Sequence, residues 1–267
     1  MEQIYFHIGF HKTGTTWLQN KLFLNTEHFN LINNHTHPWN DELMKYIITT
    51  HTNDFEKDKL LELIKPKIKK DKINIISAER LSGHPYSAGN DIKLIAEKIY
   101  KTFPSAKIII VTRDYDSFII STFKQIVKEG YPGSFQQYIN RNQWFFPTTP
   151  KHYFDHKNTV QLYKDLFNDQ NILELNFNTF KSDKKIFLKS ISKFIEKELN
   201  INITEHNHIV NKTYSNNRIR AIKFLNKFRK SEYNQYPIII LNPKLIRRIS
   251  ILISPFFSNK KFILDDT

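Results

Sequence analysis

Cysteine is absent from the chain, which removes disulfides, thiolate metal ligands and thiol catalysis together and fits a reducing compartment. Glycine is scarce, at 6 of 267 residues, so the pair at Gly9 and Gly14 stands out. No apolar run approaches the ~20 residues a membrane-crossing helix needs. The first strand is expected to begin by residue 4, which leaves no space ahead of it for a charged and then apolar leader; a cytoplasmic protein with an intact N-terminus is the expectation. Negative charge is short: 26 Asp and Glu face 40 Lys and Arg, a formal net charge of +14. Such a balance attracts a nucleotide, an acidic or sulfated glycan, or an anionic membrane surface without choosing among them. Specific nucleic-acid binding is disfavoured, since the chain has no zinc-ligand spacing, no basic-region heptads and no RNP-like aromatic motif.

What is present is a globular composition, 40% hydrophobic and 14% aromatic, with 22 Phe and 12 Tyr. The length suits one elaborated α/β domain, residues 1–267, with a basic helical C-terminal extension from about residue 215. Short β-prone runs occur at Tyr5–Ile8, Ile73–Ser77, Lys107–Val111 and Asn171–Leu175. Between them lie helical periods over 56–70, 90–103, the stretch through Phe118 and Phe123, 159–167 and 184–199. Continuous β-branched runs such as Ile108-Ile109-Ile110-Val111 imply burial on both faces of a parallel sheet. The alternation predicts a three-layer sandwich with a central, mainly parallel sheet flanked by helices, and a ligand site at the carboxyl ends of the strands. Residues 25–55 read as polar and His-rich, and the spacings of His28, His35, His37 and His51 do not suit a metal site. No metal is expected.

The segment Tyr5-Phe6-His7-Ile8-Gly9-Phe10-His11-Lys12-Thr13-Gly14-Thr15-Thr16-Trp17-Leu18 reads as a strand, a tight loop and a helix start, with Thr15 and Thr16 as cap candidates. A helix N-terminus offers unpaired N–H groups and a positive dipole end to an anion. A Walker A loop would carry its Lys after the second Gly, whereas Lys12 sits before Gly14. Further on, Arg113 closes the most apolar strand and Ser121 lies eight residues later, about two helical turns, so both can address a phosphate at the sheet edge. Taken alone, Arg113 at a strand end is explained by pairing with Asp114 or Asp116; in register after the Lys12 loop, it points to the phosphate. Glu79 ends the strand between these two motifs, where a carboxylate could serve as a general base. An ion pair of Glu79 with Arg80 or Lys12 is its structural alternative, and His11 and His84 are fallback bases.

In Lys12-Thr13-Gly14-Thr15-Thr16, Arg113 with Ser121, and Glu79, the chain resembles the sulfotransferases that use 3′-phosphoadenosine 5′-phosphosulfate (PAPS), bacterial members in particular. The resemblance implies a P-loop-like fold with PAPS as co-substrate and no metal. It assigns His11, Lys12, Thr13, Gly14, Thr15 and Thr16 to the 5′-phosphosulfate, and Arg113 and Ser121 to the 3′-phosphate. Lys12 and Glu79 are the implied catalytic residues, Glu standing where cytosolic relatives use a His. Lys212, in His208–Ser215, resembles a segment that covers the nucleotide. Two elements of the family pattern are missing: a clear Arg-Lys-Gly tail motif and an assignable aromatic for stacking on adenine.

The implied acceptor is a hydroxyl or amine of a small molecule, glycan or lipid-linked sugar, with residues 28–51 and the aromatic segment 143–154 as its walls. Two other readings stay open: a P-loop nucleotide kinase and a non-catalytic polyanion-binding module. The Ile238–Ile263 segment mixes apolar runs with Lys244, Arg247, Arg248, Lys260 and Lys261. It suits a helix lying on an anionic membrane surface, at the inner face of the membrane, and equally a helix packed on the domain with a basic outer face.

Overall fold

The structure, a computed structural model, describes residues 2–24, 27–37, 40–84, 89–140, 153, 155–199, 214–237 and 239–263. The chain divides into two compact units, Met1–Asp114 with Gln143–Val210, and Tyr115–Asn142 with Asn211–Thr267.

The first unit holds a five-stranded sheet: β1 (Ile4–Gly9), β2 (Phe29–Leu31), β3 (Ile73–Ala78), β4 (Lys107–Thr112) and β5 (Ile172–Asn176). The spatial order is β2-β3-β1-β4-β5 and every pairing is parallel. The expected parallel sheet with helices around it is what forms. The run at 171–175, fourth by sequence, is the fifth strand, because Phe29–Leu31 adds a short edge strand inside the segment read as polar loop.

Both sheet faces are buried, as the β-branched runs require. On one face Ile75, Ile109 and Val111 pack with Trp17, Leu18, Leu22, Phe187 and Ile191. The alternate residues Phe6, Ile8, Ile76, Ile108 and Ile110 are equally inaccessible and, by the period of two, line the other face. There Phe6 meets Phe103 with ring centroids 5.8 Å apart, at the end of helix Ile92–Thr102. Each such side chain contributes on the order of 1.5–3 kcal/mol when fully buried. That surplus offsets a polar cluster at the carboxyl end of the sheet. His7 Nδ1 and Ser77 Oγ lie 2.7 Å apart across the β1–β3 register, Gln19 Nε2 donates to the Ser77 carbonyl at 2.9 Å, and Asn33 exchanges two hydrogen bonds with the Ser77 backbone.

The polar segment also contains helix Glu42–Thr49. Asp41 caps it by accepting from the Met44 N–H at 3.0 Å, and its three buried side chains, Leu43, Met44 and Ile47, form one narrow apolar face. Its C-terminal end is closed by the largely buried Lys98, whose ammonium donates to the Ile47 carbonyl at 3.0 Å and to that of Thr50. Pro66 stands in the 3₁₀ turn Lys65–Lys67 that ends helix Lys57–Ile64.

The second unit is helical. Tyr115–Glu129, Asn216–Leu225 and Pro243–Ile253 are its main helices, and Asn216–Leu225 packs against the other two. Phe123 centres an aromatic cluster with Phe135, Phe262 and Tyr138 at 5.0, 5.2 and 5.6 Å. Buried Asn226 donates to the carbonyls of Val127 and Tyr131, satisfying the end of Tyr115–Glu129. Among the described residues, no helix of either unit is long and apolar enough to cross a membrane.

Candidate active site

Three adjacent strands, β3, β1 and β4, end side by side, so the segments that leave them converge: the loop Phe10–Gly14, the 3₁₀ turn Glu79–Ser82 and Arg113. Within the loop, Lys12 (φ 65°) and Gly14 (φ 85°) are both left-handed, and Thr13 between them donates its hydroxyl to the Phe10 carbonyl at 2.5 Å. Only glycine takes such a φ without strain, which is why Gly14 rather than a threonine stands at the helix boundary. The Gly14 carbonyl accepts from the N–H groups of Trp17 and Leu18 at 2.9 and 3.1 Å, which starts the helix at Thr15.

The expected side-chain caps therefore do not form. Thr15 lies inside the first turn, its hydroxyl buried and without a partner among the described residues, and Thr16 is exposed. An unmet buried hydroxyl is costly unless a ligand meets it. Beside it, the first-turn N–H groups have no acceptor within the helix. Gly9 makes the space, since a Cβ there would sit 2.3 Å from Thr15 Oγ1. The helix then widens into a π-helical stretch, Leu18–Phe23, in which Gln19 reaches Ser77.

Glu79 and His11 come together from two different strand ends, with Oε2 and Nδ1 2.8 Å apart and side chains 34% and 27% exposed. His11 Nε2 is buried and has no partner among the described residues. Arg80, an alternative partner for Glu79, is taken by Asp91 at 2.9 Å.

Arg113 is gripped from several sides. Its Nη1 donates to the Lys12 carbonyl at 3.0 Å, its guanidinium lies 5.2 Å from the Phe177 ring centroid, and its backbone N–H donates to His156 Nδ1 at 3.0 Å. The His156 ring stacks on Phe10, centroids 3.5 Å apart and planes 9° from parallel. Accepting at Nδ1 makes this imidazole the neutral Nε2–H tautomer. Burial, helped by the charge of Arg113, pushes its pKa down to about 3. Burial alone does the same for His7. Arg113 is itself lowered by burial, against which Asp114 acts in the opposite sense, and a guanidinium stays charged under such a shift.

Lys12 thus meets Arg113 and His11 meets Glu79, both within the first unit. Ser121 lies half-buried on helix Tyr115–Glu129 in the second unit. Lys212 and the aromatic segment 143–147 lie outside the described residues; of 143–154, Tyr153 is seen beside Phe10 at 6.4 Å. Phe10, His156 and Phe177, which hold Arg113 and its loop, carried no motif. The only sequence trace is that His156 opens the helix His156–Phe167, three residues before the periodic part begins.

An unmet hydroxyl and the first-turn amides fit a tetrahedral oxyanion, and the partly exposed Glu79 carboxylate at the adjoining strand end can accept a proton. The sulfotransferase domain family matches residues 5–238. The chain belongs to that family. The sulfotransferase fold is also seen in a solved sulfotransferase from Alicyclobacillus acidocaldarius, 17% identical, with a TM-score of 0.52, covering 74% of this chain and 82% of that one. More distant are the sulfotransferase domain from the curacin biosynthetic pathway (11% identical, TM-score 0.46, 74% and 75% covered) and mouse sulfotransferase SULT7A1 complexed with PAP (15%, 0.37, 74% and 60%). No curated protein sequence matches the chain. As a family member the protein is a transferase enzyme, and the family uses PAPS.

Two expectations concern the stability of this sulfotransferase. Gly9→Ala forces a methyl against Thr15 and His7, an overpacking cost of about 1–3 kcal/mol that urea unfolding at neutral pH should read. His7 and His156 are neutral in the folded chain, while unfolding frees them to protonate below their ordinary value near 6.5. They cost nothing above that pH and destabilise by roughly 1.4 kcal/mol each per unit as pH falls from about 6 toward 3. Stability of His156→Asn should fall less steeply between pH 6 and 4 than that of the parent protein; equal slopes would remove His156 from the acid response.

Proposed function

We propose that the protein transfers the sulfuryl group of PAPS to a hydroxyl or amine of an acceptor, a carbohydrate or glycolipid. The observation that carries this reading is the loop of Lys12–Thr16, with its unmet Thr15 hydroxyl and its tie to Arg113, next to the Glu79 carboxylate. PAPS, when bound, supplies an activated sulfuryl group on a phosphate that leaves. The chain's contribution is positioning and charge, as in phosphoryl transfer.

His11, Thr13, Gly14, Thr15 and Thr16 bind the 5′-phosphosulfate, through N–H groups and the Thr15 hydroxyl. Lys12 offsets the negative charge that builds on the bridging oxygen. Glu79 accepts the proton of the acceptor hydroxyl, and His11, donating from Nδ1, orients the carboxylate. Arg113 binds the 3′-phosphate; Ser121 is its second ligand on the family pattern of an Arg followed eight residues later by a Ser, and Lys212 adds a second charge. The partial exposure of Glu79 favours a hydrophilic acceptor, since a sugar hydroxyl reaches such a carboxylate without a deep apolar pocket.

His11 Nε2, buried and unmet, favours a second reading of proton removal: His11 as the base, with Glu79 holding its tautomer. Glu79→Gln and His11→Gln separate the two. If Glu79 is the base, the first loses about 10²–10⁴-fold in kcat and the second far less; if His11 is the base, both lose on that scale. Lys12→Ala should lower kcat by about 10²–10³-fold with little change in PAPS affinity. Equal turnover in that variant would remove Lys12 from catalysis.

Calorimetry tests the donor. Adenosine 3′,5′-bisphosphate should bind, ATP should not, and Arg113→Ala should weaken the bisphosphate by about 10–100-fold, the worth of a charge-assisted contact. ATP binding as tight as the bisphosphate would favour a nucleotide kinase, and steep salt dependence with no preference among polyanions a non-catalytic binder. An acceptor screen with sulfur-labelled PAPS then identifies the acceptor class.

A further inference from the structure

The second unit carries a surface that sulfuryl transfer does not call on. Residues 211–267 hold twelve Lys and Arg against three Asp and Glu, nine of the chain's fourteen net positive charges in about a fifth of its length. Helix Pro243–Ile253 has no acidic residue, and only Ile246 and Ser250 on it are fully buried. Leu245, Arg248 and Leu252 follow one another at three- and four-residue intervals on the opposite side, and Phe256 continues that line into the 3₁₀ turn Ser254–Phe256. Leu252 is 74% and Phe256 87% exposed. The segment that enters the helix leaves Ile239 and Ile240 exposed as well.

Scattered single apolar residues on a surface need no explanation, but a helix that keeps Leu245, Ile251 and Leu252 outward between Lys244, Arg247 and Arg248 does. Lys and Arg beside apolar side chains can extend their ends to a phosphate layer while the stems lie against hydrocarbon. Positive charge is also concentrated nearby. A shallow cleft in this unit is lined by Lys128, Arg229, Arg247, Tyr214 and Ile246, and Arg229 Nη1 donates there to the Lys128 carbonyl at 2.8 Å. Burial lowers the pKa of Arg229 there and the charge of Arg247 lowers it further, with Glu129 opposing; its Nε is buried without a partner among the described residues. Such a group suits an incoming phosphate oxygen.

We propose that this unit docks on an anionic phospholipid surface, with Leu245, Leu252 and Phe256 entering the interface and Lys244, Arg248, Lys260 and Lys261 meeting lipid phosphates. Charge complementarity selects this occupant: a second copy of the chain would set one basic face against another. The inference stands on the second unit alone and is independent of the donor, the acceptor and the reaction.

The test is sedimentation of the full chain with vesicles of phosphatidylcholine alone and of phosphatidylcholine with phosphatidylglycerol, at two salt concentrations, beside Leu252→Asp/Phe256→Asp and Arg248→Glu variants. All three positions are on the surface, so the variants should keep the parent's circular dichroism and unfolding midpoint. The expected result is binding to the anionic vesicles only, weakened by salt, lost about tenfold or more in both variants, and not competed by millimolar inorganic phosphate. Equal binding to both vesicle types, or none to either, overturns the proposal. So does phosphate competition, which would mark a soluble-anion site, and so does a concentration-dependent dimer in sedimentation velocity that the same substitutions abolish.

Discussion

The hydrogen bond from the Arg113 guanidinium to the Lys12 carbonyl is the contact on which the site's geometry depends. Lys12 is held in a left-handed conformation that an ordinary side chain adopts at a cost, so its peptide needs outside support. Arg113 supplies it from the neighbouring strand end, and is itself fixed through its backbone by His156 and its face by Phe177. The chain of contacts runs from Phe10 through His156 and Arg113 back to Lys12, so the loop is closed on itself by residues from three separate parts of the sequence. Such a ring lowers the entropy left to be lost on binding an anion, which is how a loop becomes a prepared site.

Beneath that ring lies the polar cluster of His7, Ser77, Gln19 and Asn33. It places hydrogen-bonding groups where a pure hydrocarbon core would be easier to build, and it joins β1, β3 and the helix after the loop in one network. The neutral state of His7 follows from that setting, since burial penalises an imidazolium. The sheet can carry the cluster because its remaining positions are Ile, Val and Phe in continuous runs.

Those same runs explain what could be read from the chain alone. β1, β3, β4 and β5 are legible because β-branched residues fill both faces, and once the strand ends are known the positions of Lys12, Glu79 and Arg113 follow. Phe29–Leu31 was not legible, since three residues at a sheet edge leave no period to detect. Helix Glu42–Thr49 hid for a different reason: its apolar face is three side chains wide, and its stability comes from Asp41 and from Lys98, about fifty residues away. The partner of Glu79 was equally out of reach, because His11 and Glu79 are neighbours only after β1 and β3 pair. The threonines were misread as caps because composition does not reveal that Gly14 turns the chain left-handed and carries Thr15 past the capping position.

The closeness of Gly9 to the Thr15 hydroxyl couples the two positions sterically. Residues 9 and 15 lie in different elements, yet neither can change freely while the other stays. A side chain at 9 strains the packing while the hydroxyl at 15 stays, and loss of that hydroxyl removes a buried side-chain oxygen that has no partner among the described residues. A change at either position is therefore felt at the other: a side chain at 9 crowds the helix start, and loss of the hydroxyl at 15 opens space beside the strand end.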